Sequence, residues 1–184
     1  MNPDFSVREY LRHATNQQHA VLDRAASQMH LQSKAGYANF LATQVSALLP
    51  LEQALEAGGI AKLLPDWPSR RRADALKADL AELHVTITTD DAPSFLSDAA
   101  LLGASYVLEG SRLGARMILR QIGQQSATRF LRHGDGSRLW RSFLDVLETN
   151  RAIRDDLASA ADAARCVFSF FIDAMVPAEL VAAE

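Results

Sequence analysis

Apolar residues recur every three or four positions along most of this chain, and that period commits it to helices. Leu11, Ala14, Val21, Leu22 and Ala25 form the first such stripe. It follows Ser6-Val7-Arg8-Glu9, a capping box in which the serine oxygen takes a free amide and the glutamate reaches back. The pattern predicts a first helix from about Val7 to Gln28. Ser33 caps a second, reaching about Ala57 and ended by Gly58-Gly59, with a kink expected at Pro50 because proline lacks a donor and crowds the preceding turn. Leu64 to Pro68 reads as a loop and Ser69 to about Leu83 as a charged helix. Val85-Thr86-Ile87-Thr88 is β-branched, but too short and isolated to found a sheet, so it reads as an extended loop. A long helix runs from Ser94 to about Ile122, and shorter ones near Ser126 to His133 and from Ser137 to Glu148. Gly134-Asp135-Gly136 makes a turn, and Asn150 caps a last helix from Arg151 to Met175. No repeat or linker divides the chain. The expectation is an all-α single domain over residues 1–184, with a core over about 6–176, built from roughly six to eight packed helices.

Charge and cysteine count exclude several classes of partner. A formal net charge of −3 gives little pull on phosphate backbones or anionic lipid, so neither nucleic acid nor membrane is expected as the main partner. The lone Cys166 can form neither an internal disulfide nor a cysteine-based zinc site, and its apolar neighbours make it a small core residue. Met1 to Arg8 lacks the basic-then-apolar order of a signal peptide. No apolar run nears the roughly 20 residues that span a bilayer. A cytoplasmic location is the expectation.

The long helix carries an oddity: Gly103, Gly110 and Gly114 lie inside it. Each interior glycine costs about 1 kcal/mol relative to alanine. Gly110 and Gly114 are four apart and share a face, and Gly103 falls on the same side. A face without side chains lets a flat group approach the backbone, or lets a second helix pack closely, and it permits a bend. The glycines alone leave both readings open.

Of the five histidines, His13 and His19 sit six apart on the first helix and point to different sides. No His-Glu-x-x-His or Glu-x-x-His string, Walker loop, nucleophile elbow or dinucleotide fingerprint occurs. His30, His84 and His133 sit near helix ends, as solvated or capping residues would. His19 borders the apolar stripe, with Thr15, Leu22 and Asp23 as helical neighbours. It is either a hydrogen-bonded structural histidine or an axial ligand for heme iron, with Asp23 or a main-chain carbonyl orienting its ring.

Taken together, the two segments resemble a known family. Thr15-Asn16-Gln17-Gln18-His19-Ala20-Val21-Leu22-Asp23 resembles the proximal segment of biliverdin-producing heme oxygenases. Tyr106-Val107-Leu108-Glu109-Gly110-Ser111-Arg112-Leu113-Gly114-Ala115 is similar to their distal helix, in particular that of the bacterial branch. Leu63-Leu64-Pro65, Ser69-Arg70-Arg71-Arg72, Asp79-Leu80 and the Trp140 to Leu147 region match in order and spacing, so the likeness spans about Leu11 to Met175.

The resemblance implies a heme held between the first helix and a kinked distal helix, with His19 as the proximal iron ligand. Gly110 and Gly114 would let the distal backbone lie against the porphyrin, leaving room for dioxygen. Heme would be both cofactor and substrate, cleaved with O2 to biliverdin, carbon monoxide and ferrous iron. Electrons would come from an external donor such as a ferredoxin–reductase pair, and a bilin acceptor such as a phytochrome is a possible downstream partner. By resemblance Arg70 or Arg72 anchors a distal water network beside Ser111, and Tyr106 lines the pocket. Arg24, Arg120 and Arg165 are the candidate cations for the propionates. The chain departs from its bacterial relatives there, with Ser27 and Arg120-Gln121 where they often carry lysines. The alternative reading is a protein of the same fold that binds heme or a linear tetrapyrrole without turnover.

Overall fold

The computed structural model describes residues 5–86, 91–123 and 127–175, and every regular element among them is helical. The first predicted helix is divided: α1 (Val7–Ala14) and α2 (Asn16–Ser27) meet at Thr15. Thr15 is buried, and its hydroxyl donates to the Leu11 carbonyl at 2.8 Å, a local bond that competes with the helix ladder and bends it. Ser6 caps α1 as expected, accepting the Glu9 amide at 3.2 Å. The remaining donors go to Glu148, far along the chain: its carboxylate accepts the Val7 and Arg8 amides at 3.0 Å each and the Ser6 hydroxyl at 2.8 Å.

The same device recurs twice. α3 (Lys34–Gly58) starts at Ser33 and stops at Gly59, whose φ of 88° needs glycine, and it runs through Pro50 without ending. Glu52 on α3 accepts the Arg72 and Ala73 amides at 2.7 and 3.1 Å. That bond pair sets the start of α5 (Ala73–Glu82), so the charged helix expected from Ser69 is split, its first turn becoming α4 (Trp67–Arg70). Asp79, fully buried on α5, accepts the Arg129 and Phe130 amides at 3.1 and 2.8 Å and so starts α7 (Arg129–Arg132). Part of the Val85–Thr88 reading, and Ser126, lie outside the described residues.

α6 (Asp98–Gln121) begins later than expected, because Ser97 and not Ser94 accepts the free amide of Ala100, at 3.1 Å. It is helical without interruption through its glycines. α8 (Leu139–Thr149) follows the Gly134–Gly136 turn. Asn150 caps α9 (Arg151–Asp155) through the Ala152 amide. Asp156 then breaks the run and accepts the Ser159 amide at 3.0 Å, so α10 (Leu157–Met175) is separate.

α10 is the floor of the molecule, packed against α1, α2, α3 and α6. Leu102 and Ala104 of α6, and Ala160, Ala161, Ala164 and Val167 of α10, are almost wholly removed from water. α2 and α6 both lie on α10, yet among the described residues they do not pack extensively on each other. No helix among the described residues is long and apolar enough to cross a membrane.

Candidate functional site

α2 buries none of its residues, although Val21 and the half-buried Leu22, Ala25 and Ala26 give it an apolar side. The second half of α6 also leaves apolar surface in water. Along one of its sides run Tyr106, Gly110, Leu113, Gly114 and Met117, spaced by three and four. Leu113 is 43% exposed and Met117 63%. Two helices on a shared floor therefore each leave apolar surface in water, the kind of surface that binds a flat apolar group. A cavity of about 470 Å³ lies between Met29–Ser33, after α2, and Gln121, at the end of α6.

The three glycines separate into two kinds. A Cβ on Gly103 would overlap the backbone of Ala160, so that glycine serves the α6–α10 contact. A Cβ on Gly110 would make only ordinary contact with the Trp140 ring, at 3.8 Å, and one on Gly114 would meet nothing within 4 Å. Protein packing therefore demands glycine at 103 and not at 110 or 114. Among the described residues no contact meets the helix-propensity cost at the latter two, as expected where a ligand comes against the backbone.

His19 stands on α2 with its side chain about two-thirds exposed. Its Nδ1 lies 2.9 Å from the Asp23 carboxylate, which favours the tautomer with the proton on Nδ1 and the lone pair on Nε2. The ring meets Phe168 of α10 edge-to-face, with centroids 5.8 Å apart. Among the described residues no three His, Cys, Asp or Glu side chains converge as a metal site. The His19 imidazole, paired with Asp23, is the exposed nitrogen donor on α2.

Behind α6 lies a buried ionic cluster whose members look solvent-facing in the sequence. Arg70 spends all five N–H groups: two on Asp66 at 2.7 Å, one on Glu109 at 2.8 Å, and one each on the Leu139 carbonyl and Ser142 hydroxyl at 2.9 Å. Every N–H of its guanidinium is thus engaged within the protein. Arg112 shares Glu109, donating to it at 2.8 and 3.0 Å. Arg72 is the arginine that touches the distal turn: its Nη2 donates to the Leu108 carbonyl at 2.9 Å and to the Ser111 hydroxyl at 2.8 Å. Ser111 in turn donates to Leu108. Burial, aided by Arg112, lowers the Arg72 pKa to about 10 against the pull of Glu109 and Glu52, so it stays cationic at neutral pH.

His133 is half-buried and not solvated as expected; its Nδ1 lies 3.4 Å from Arg112. Burial first, then Arg112 and Arg72, push its pKa down. Tyr106 packs against Trp140, and burial raises its pKa against the opposing charges of Arg8 and Arg12.

The three candidate cations also divide. Arg24, in the last turn of α2, and Arg120, in the last turn of α6, are exposed, and neither forms an ion pair among the described residues. Arg120 directly precedes Gln121 and Arg24 lies five residues before Met29, two of the residues that line the 470 Å³ cavity. Arg165 is engaged elsewhere, paired with Asp162 and donating to the Ala14 carbonyl at 3.3 Å. Sequence reasoning singled out neither Phe168, which meets the His19 ring, nor the burial of Glu109 and the packing of Trp140 on Tyr106, since these depend on contacts between elements far apart in the chain.

No family profile matches the chain. It is 31% identical over 170 residues to the heme oxygenase PigA of Pseudomonas aeruginosa, covering 86% of each chain. It is 30% identical over 154 residues to a heme oxygenase of Xanthomonas campestris pv. campestris, covering 80% of this chain and 93% of that one. Its fold is similar to the crystal structures of NO- and CO-bound heme oxygenase from Neisseria meningitidis, with a TM-score of 0.79 at 23% identity over 93% of this chain and 90% of that one. It also resembles heme oxygenase from Leptospira interrogans, with a TM-score of 0.71 at 16% identity over 93% and 98% of the two chains.

Proposed function

The chain belongs to the heme oxygenase family, and on that premise we propose that it degrades heme oxidatively to biliverdin, carbon monoxide and ferrous iron. The observation that carries the reading is the pair Gly110 and Gly114, which no packing among the described residues requires. They sit on an uncovered apolar face across a common floor from the imidazole of His19.

Heme would supply both the iron that activates dioxygen and the carbon framework that is cleaved. The chain's own residues would bind, orient and shield it. His19 would hold the iron through Nε2, with Asp23 at Nδ1 orienting the ring. Leu22, on the same side of α2 as His19, with Leu113 and Met117 on α6, would bury the apolar faces of the ligand and exclude bulk water. Gly110 and Gly114 let the α6 backbone approach it closely, leaving main-chain dipoles to act where a side chain would obstruct. Arg72 fixes the Ser111 hydroxyl at that turn and brings a cation behind it. Arg24 and Arg120 are free to meet the propionates.

Electrons come from an external donor, for which a ferredoxin and its reductase are the natural trial pair, and biliverdin passes to a downstream acceptor. Hemin titration followed by reduction and product chromatography tests the whole reading. A Soret band that depends on His19, followed by a biliverdin spectrum, is expected. A stable heme complex that survives reduction in air would leave a binding protein in place of an enzyme.

A further inference from the structure

α10 holds the segment around His19 at two points. Arg165 donates through Nη1 to the Ala14 carbonyl at 3.3 Å, while Asp162 engages its Nη2. Ala14 is the last residue of α1. In an unbroken helix its carbonyl would accept the Gln18 amide; the break at Thr15 leaves it without that partner. Arg165 takes the place of the missing donor. Three residues on, on the same side of α10, Phe168 is buried and meets the His19 ring. The two points are tied together, because the His19 amide returns to the Thr15 carbonyl at 2.9 Å. Whatever fixes the Ala14–Thr15 junction fixes the first turn of α2 and the imidazole it carries.

We propose that Arg165 is a positioning residue for His19, acting through the Ala14 carbonyl with Phe168 as the second point of hold, and is not a partner for a ligand carboxylate. Its guanidinium already has a carboxylate in Asp162. The junction it braces lies on the axial-ligand side, and the cavity beside Gln121 lies at the other end of α2. The inference rests on reading His19 as the iron ligand, since the imidazole's tilt and freedom would be passed to the iron–nitrogen bond.

The test compares the wild-type chain with Arg165→Met and Arg165→Lys. In the heme-free protein, amide hydrogen exchange at His19 and the residues after it should quicken roughly tenfold in Arg165→Met, the effect of losing one charge-assisted hydrogen bond. Arg165→Lys, which keeps a donor, should restore most of the protection. With ferrous heme bound, the iron–histidine stretch measured by resonance Raman should broaden and shift in Arg165→Met. The shift should persist when heme dimethyl ester replaces hemin, because no propionate charge is involved. A wild-type spectrum recovered with the ester would make Arg165 a propionate partner and overturn the proposal, as would unchanged exchange around His19. If wild-type protein shows no iron–histidine band at all, the reading of His19 fails, while the exchange measurement still decides whether Arg165 braces the junction.

Discussion

Gly103 of α6 and Ala160 of α10 approach so closely that a methyl group on the first would overlap the backbone of the second. Gly114, eleven residues along the same helix, has open space where its side chain would be. The contrast separates a glycine needed for folding from one needed for something else. Gly103→Ala is expected to lower stability by about 2 kcal/mol through overpacking against a backbone that cannot yield. Gly114→Ala should leave the heme-free protein as stable as before, or up to about 1 kcal/mol more so through helix propensity, yet weaken hemin binding. Thermal melts of both variants, paired with Soret titrations, check this. A Gly114→Ala protein that binds hemin as tightly as wild type would mean that close approach of a ligand does not explain that glycine.

His19→Ala should abolish the axial-ligand signature in the hemin spectrum. Asp23→Asn should retain binding but weaken it by roughly tenfold, the usual effect of removing a carboxylate that orients a ligating imidazole. Equal affinity in wild type and Asp23→Asn would show that the 2.9 Å pair does not orient the ring.

Glu109 lies between Arg70 and Arg112, at 2.8 Å from each, with only 2% of its side chain exposed. Glu109→Gln would leave two buried guanidiniums with half their counter-charge, and a loss of about 3 kcal/mol is expected. Urea denaturation of the heme-free protein measures it. A variant within about 0.5 kcal/mol of wild type would mean that Asp66 and the carbonyl acceptors suffice.

His133 gives the stability a pH dependence of known sign. Its folded pKa lies below its ordinary value of 6.5, so the unfolded chain takes up a proton first as pH falls. Stability from this group is intact above about pH 6.5 and declines below it until the folded pKa is reached. His133→Gln should flatten the fall of the denaturation midpoint below about pH 6.5. A midpoint in wild-type protein that rises on acidification through that range contradicts the assignment.

How far the fold could be read in advance depended on whether each signal was local. Ser6, Ser33, Gly59 and Asn150 mark helix ends within three residues of themselves, and each was legible. The breaks at Thr15 and before Ala73 were not. The second is set by Glu52, some twenty residues off, and nothing in the local pattern calls for it. Arg70 read as part of a charged, solvated face for a similar reason: its burial depends on Glu109, Leu139 and Ser142, which only the packed helices bring near. His19, Gly110 and Gly114 stood out in the sequence as unusual. That Gly103 belongs to a different contact was invisible, since all three glycines fall on one side of the same period.

The carboxylates that begin helices from afar have a further consequence, for the order in which the molecule can be completed. α1 is finished by Glu148, so the Val7 and Arg8 amides find their protein acceptor only once α8 has docked. A nascent chain leaving the ribosome would carry its first helix with a frayed start until most of the polypeptide had emerged. The histidine-bearing segment would accordingly settle late, and full-length synthesis would set the moment at which a ligand-ready slot first exists.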